Sequence, residues 1–128
     1  DLDTVMPGLS VNDFGDSIRF GASTGAEDET DLSKVSCDME LFRLYAKGFL
    51  EECGKSLTPN EIAMLPAAAK MMTLETGIRF LTDYLEGDTY FKIHRPGHNL
   101  DRCRTQLKLV ADMEAKWDEM ERIIADLS

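Results

Sequence analysis

The chain has 128 residues, 43% of them apolar and 30% charged, and its 24 acidic and 14 basic side chains leave a net charge of −10. That length supports one domain with a modest core, and the composition is ordinary for a folded domain. The acidic balance excludes a nucleic-acid backbone as partner, which needs clustered Lys and Arg, and no apolar run approaches the ~20 residues of a membrane span.

Residues 1–35 differ from the rest. Four of the nine glycines (Gly8, Gly15, Gly21 and Gly25) fall here, a density that predicts loop-rich chain. Asp1-Leu2-Asp3-Thr4-Val5 has the alternation of a strand end, with Asp1 and Asp3 on one face. The run from Ala26 to Asp31 predicts an exposed acidic loop. From Ser36 the period becomes helical. Met39, Phe42, Ala46, Phe49, Leu50 and Cys53 share a face, Ser36 is the expected N-cap and Gly54 the expected stop.

Thr58-Pro59-Asn60-Glu61 has the pattern of a capping box with proline at the first helical position. Pro66 ends or kinks that short helix, or starts the next. Ala67, Met71, Leu74, Ile78, Leu81 and Leu85 then form one apolar stripe that Gly87 closes. Residues 88–98 form a connector holding Tyr90, Phe91, His94, His98 and a Pro96-Gly97 turn. Asn99 is the expected cap of a long last helix, whose predicted buried face runs through Leu100, Cys103, Leu107, Val110, Trp117, Met120, Ile124 and Leu127. The predicted fold class is mainly α, a helical bundle over residues 36–128.

Three cysteines at Cys37, Cys53 and Cys103 give no C-x-x-C spacing. On one helix Cys37 and Cys53 would lie roughly 24 Å apart at 1.5 Å per residue, against the ~7 Å a disulfide spans. Reduced thiols and a cytoplasmic location are therefore expected. His94 and His98 lack a second ligand at metal spacing, so turn or surface roles are expected of them.

Asp1, Asp3, Asp13 and Asp16 sit in a Gly-rich segment that would suit Mg²⁺, although Asp also favours turns for its own hydrogen bonds. Arg79 has Glu75 at i−4 and Asp83 at i+4. The pattern alone favours a surface ion-pair ladder; the functional alternative is a guanidinium aimed at a polar ligand. Tyr90 either plugs the core end or presents its hydroxyl and ring to a ligand.

Two segments carry a resemblance. Asp1-Leu2-Asp3-Thr4-Val5-Met6-Pro7-Gly8, followed by Asn12-Asp13-Phe14-Gly15-Asp16-Ser17-Ile18-Arg19, is similar to the segment after the catalytic loop in aminoglycoside-phosphotransferase-like kinases. Met72-Thr73-Leu74-Glu75, Arg79 to Phe91, Asn99 to Arg102 and Gln106 to Val110 resemble the C-terminal region of the anomeric N-acetylhexosamine kinases, some of which carry a mucin-desulfatase label. The resemblance implies the helical C-terminal part of a protein-kinase-like fold. It further implies Asp1 as a Mg²⁺ ligand, Asp16 as a brace of the catalytic loop at the start of a helix, and Arg79 and Tyr90 as sugar-holding residues. Asp13-Phe14-Gly15 spells the protein-kinase metal motif but stands where the brace segment belongs, so it is expected to be a decoy.

The resemblance also implies that the nucleotide-binding lobe, the catalytic loop and the base precede Asp1. The whole enzyme would transfer the ATP γ-phosphoryl group to the anomeric hydroxyl of an N-acetylhexosamine, with Mg²⁺ and ATP as cofactors. This chain alone would be inactive and would self-associate through surface that the missing lobe covers. The alternatives are a choline- or homoserine-kinase-like phosphotransferase and a non-catalytic helical binding module.

Overall fold

A computed structural model describes residues 7–128, with side chains from residue 11 onward. The predicted strand end, with Asp1 and Asp3, lies outside the described residues. Six α-helices follow in chain order: α1 (Pro7–Gly21), α2 (Met39–Cys53), α3 (Pro59–Ala63), α4 (Leu65–Leu85), α5 (His98–Ala115) and α6 (Trp117–Leu127). Single 3-10 turns occupy Leu32–Lys34 and Gly54–Ser56. Among the described residues there is no strand, only an isolated bridge between Ser23 and Cys37. The mainly α expectation holds, and no helix among them is long and apolar enough to cross a membrane.

The first correction falls on residues 7–21, which form a helix and not a loop. Phe14 and Ile18, one turn apart, are buried, and Val11 packs beside them. Glycine does not break this helix, because Gly15 serves packing. A Cβ there would sit 2.5 Å from the Ala68 carbonyl oxygen, so its absence lets α1 lie directly on α4. Phe14 meets Phe42 and Phe49 at centroid distances of 6.0 and 5.2 Å. Packing therefore accounts for the Phe and Gly of the kinase-like tripeptide.

Residues 22–38 cross the face of α5, and side chains of that helix and its C-cap bond their backbone. Lys108 Nζ donates to the Val35 carbonyl (2.9 Å) and Lys116 Nζ to that of Cys37 (2.8 Å). Cys37 N–H donates to Asp112 (2.6 Å). The N-cap of α2 is Asp38, which accepts from Leu41 N–H, and not Ser36, whose hydroxyl bonds Thr24. The Thr58 capping box forms as expected, and Pro66 lies in the first turn of α4.

The second correction concerns α4. Its buried side is Leu65, Ala68, Ala69, Thr73, Gly77, Phe80 and Asp83, whereas in the apolar stripe Ala67, Leu74 and Leu81 are half-buried and Met71, Ile78 and Leu85 exposed. Small residues let α1 and α5 approach closely: a Cβ on Gly77 would stand 3.1 Å from Gln106 Cβ. Thr73 satisfies its buried hydroxyl on the Ala69 carbonyl (2.8 Å).

The third correction is that the last helix is two helices. Lys116 leaves helical geometry (φ −107°, ψ 17°), held by its bonds to Cys37 and Asp112. Gly97, at φ 75°, starts α5 in place of Asn99. Leu109 is buried where Leu107 was expected. The core joins Phe14, Ile18, Phe42, Leu65, Leu109, Met113, Met120 and Ile124, with Trp117 packed at its edge.

Candidate functional site

The connector between α4 and α5 is built around one carboxylate. Asp83 is only 5% exposed. Its oxygens accept the Tyr90 N–H (2.8 Å), the Phe91 N–H (3.0 Å) and the Asn99 side-chain amide (2.7 Å). Its own carbonyl accepts the Asp88 N–H at 2.8 Å. Gly87 and Asp88 both take positive φ, 95° and 61°, which reverses the chain within two residues. Asn99 Nδ2 also bonds Asp88 Oδ1 (3.0 Å), and Asn99 Oδ1 accepts from Arg102 (2.9 Å). Burial alone would raise the Asp83 pKa, but these donors outweigh it and hold the carboxyl below its ordinary value.

Fixed this way, the connector sends Phe91 inward and Tyr90 outward. Phe91 packs on Phe80 with centroids 4.8 Å apart. Tyr90 is 75% exposed and stands edge-on to Phe91 at 4.9 Å. Tyr90 therefore does not plug the core end.

Two neighbouring depressions share Arg79. The larger, about 610 Å³, lies between α1, α4 and the connector, and its lining includes Asp13, Asp16, Arg19, Glu75, Arg79, Phe91 and Arg102. The smaller, about 400 Å³, is lined by Arg79, Asp83, Tyr90 and Phe91 among others. Arg79 and Tyr90 therefore face one region, and Asp16 lies across the larger cleft from Arg79.

The expected ladder of Arg79 with Glu75 and Asp83 does not form. Among the described residues no carboxylate lies within 4 Å of Arg79 in an ion pair, since Asp83 is turned inward to the connector. Arg79 instead lies over the Phe91 ring at 5.8 Å. Arg19, by contrast, is neutralised by Asp16 (3.0 Å) and Glu27 (2.7 Å). Arg102 lies over Phe80 and bonds the Lys92 carbonyl. Asp16 sits well inside α1 and does not open a helix, which corrects that part of the brace expectation.

His98 is buried, not at the surface, and cross-links two loops. Its Nδ1 accepts the His94 N–H (3.1 Å), which leaves Nε2–H to donate to Asp28 (2.8 Å). That bond, ahead of the charges nearby, lowers the Asp28 pKa. All three thiols are free. Burial pushes Cys37 up to about 12 and also raises Cys103, so neither is a reactive nucleophile.

No set of three or more His, Cys, Asp or Glu among the described residues is placed to hold a metal ion. Asp1, the metal ligand implied by resemblance, lies outside them. What the cleft offers is a pair of aromatic rings with guanidinium groups over them and carboxylates on the facing wall, an arrangement that suits a polar, hydroxylated ligand. Asp83 and Asn99 are the residues sequence reasoning missed. The available signal was that Asp83 shares a helix face with Phe80, Thr73 and Ala69. No protein-family model matches the chain.

Proposed function

We propose that this chain is the C-terminal helical part of an ATP-dependent kinase that phosphorylates the anomeric hydroxyl of an N-acetylhexosamine. The observation that carries the proposal is the arrangement of Arg79 and Tyr90. A guanidinium without a carboxylate partner among the described residues stands in one depression with an outward-turned tyrosine. Arg79 would donate to sugar oxygens and Tyr90 would lie against the ring, orienting the reacting hydroxyl. Asp16 would brace the catalytic loop from the opposite wall. ATP, Mg²⁺, the role of Asp1 as metal ligand, a cytoplasmic location and self-association of the chain in isolation belong to the same proposal and rest on the resemblance.

Steady-state kinetics on the full-length protein, with sugar varied at saturating ATP, test it. Arg79→Ala removes charge-assisted bonds worth about 1.5–3 kcal/mol each, a roughly ten- to hundred-fold loss in kcat/KM for the sugar. Tyr90→Phe keeps the ring and costs less. An Arg79→Ala enzyme with unchanged sugar kcat/KM removes Arg79 from the site. Phosphorylation of choline or homoserine in place of the sugar assigns the protein to that branch. A second reading, a non-catalytic helical binding module, is favoured by one observation: the large apolar side chains exposed along α4.

A further inference from the structure

The exposed face of α4 has a register of its own. Ala67, Met71, Leu74, Ile78, Leu81 and Leu85 follow alternating steps of four and three, the spacing of a two-stranded coiled-coil seam. In heptad terms Met71, Ile78 and Leu85 are a positions, and Ala67, Leu74 and Leu81 are d positions. The seam runs about 27 Å at 1.5 Å per residue. Three of its residues stand well out of the surface, Met71 at 58%, Ile78 at 52% and Leu85 at 74% exposure, with Tyr84 and Leu107 exposed on its flank. Ala67, Leu74 and Leu81 between them are half-buried, and apolar side chains projecting along one line of a helix mark an interaction surface.

We propose that this seam pairs with the same seam of a second copy of the chain, with the two α4 helices parallel. The first argument is charge. In a parallel pair each g position faces the e position five residues on in the partner. Lys70 is a g position and Glu75 the following e position, so the twofold brings two Lys–Glu pairs together. An antiparallel pair centred on the same seam would instead place Glu75 against its own copy. Lys70 already reaches Glu114 of its own chain at 3.0 Å, and an ammonium with three donors can serve both carboxylates. The second argument is core chemistry: Ile at the central a position with Leu at two d positions favours two strands in a parallel arrangement.

The third argument is room. Helices α1 and α5 pack on the other side of α4, at Gly15–Ala68 and Gly77–Gln106, and among the described residues leave the a positions Met71, Ile78 and Leu85 exposed and the d positions Ala67, Leu74 and Leu81 half-buried. The seam is short, so the interface falls at or below the ~1,200 Å² lower bound of stable interfaces. A weak, concentration-dependent dimer is the expectation. The inference is independent of the kinase proposal: a chain without any phosphotransferase role would still dimerise, and a kinase with a monomeric C-terminal part would still phosphorylate sugar.

Sedimentation equilibrium of the 128-residue chain up to about 1 mM, enough to populate a complex of millimolar Kd, tests it. The apparent mass should rise from 14.4 kDa towards twice that value. Ile78→Glu, at an exposed position, should hold it at the monomer value with unchanged helical circular dichroism. Leu44→Glu, on a separate exposed apolar site of α2, should leave dimerisation intact. Glu75→Lys should weaken the dimer, and adding Lys70→Glu should restore it. A chain that stays monomeric, a dimer indifferent to Ile78→Glu, or one abolished by Leu44→Glu overturns the proposal. Loss without rescue in the charge-reversal pair overturns the parallel arrangement.

Discussion

Asp83 shows how one buried side chain can set the shape of the depression that it helps to line. Its carboxylate replaces the water that the Tyr90 and Phe91 N–H groups would otherwise need, and it joins them to Asn99 at the start of α5. Buried polar groups are tolerated only when paired, and here each partner satisfies the other. Asp83→Asn places an amide N–H₂ among three donors, so at least one of the three bonds must break. The amides of Tyr90 and Phe91 should then exchange with deuterium markedly faster, while amides in the middle of α2 and α5 keep their protection. Measured by residue-resolved hydrogen exchange, unchanged protection at Tyr90 and Phe91 would show that Asp83 does not fix the connector. The same residue explains why Arg79 forms no ion pair with Asp83: a carboxylate committed to the connector cannot also answer a guanidinium one turn earlier.

At the scale of elements, close approach between α1 and α4 rests on a missing side chain. Gly15 faces the Ala68 carbonyl, and a backbone oxygen cannot swing aside as the nearby Met72 side chain can. Gly15→Ala gains helix propensity of up to ~1 kcal/mol but must push the helices apart, and overpacking costs about 1–3 kcal/mol. A net loss of stability in urea melts is expected, with an unchanged m-value; a stabilised variant would mean the helices separate freely. The Thr58 cap is a simpler case, because its box is visible in the sequence and present in the structure. Such local chemistry was legible, as were α2 and the existence of helices after residue 36. The burial of α4 was not, because a periodicity argument follows the largest apolar side chains. The face that packs sets Ala68, Ala69, Thr73 and Gly77, small enough for close approach, between Leu65 and Phe80, and it ends in a buried carboxylate. The helix at Pro7–Gly21 was hidden for the same reason, its glycines being read as loop when Gly15 and Gly21 are contacts, against Ala68 and Tyr45. Of the candidate site, Arg79 and Tyr90 were legible as residue types, but the Asp83–Asn99 bonds that arrange the connector join positions sixteen residues apart.

At the scale of the whole molecule, three depressed carboxylates tie long connections to the helices. Asp28 holds His98 and Arg95, Asp83 holds the connector, and Asp112 joins Lys116 to the Cys37 backbone. For Asp112, burial pushes the pKa up, but the Lys116 ammonium and the Cys37 N–H outweigh it and the net shift is downward. In the unfolded chain such groups titrate near ~3.9. As pH falls through that value the unfolded state takes up protons that the folded state still refuses, so the stability these ties supply is present above it and lost below. A second effect has the opposite sign. The net charge of −10 makes the folded chain repel itself at neutral pH, and acidification towards the pI of about 4.6 relieves that repulsion. Salt separates the two, because surface repulsion is screened beyond a Debye length of ~8 Å at 0.15 M, whereas the carboxylate ties act at hydrogen-bond distance. At 0.15 M salt the melting temperature should therefore be nearly flat from pH 7 to about 5 and fall steeply below about 4. At low salt a shallow rise on mild acidification should precede the fall. Asp112→Asn should melt lower at pH 7 and lose less on acidification, so that the two curves converge at acid pH. Thermal melts of both proteins by circular dichroism across this range decide the point, since parallel curves for Asp112→Asn and wild type would mean that this carboxylate carries none of the acid sensitivity.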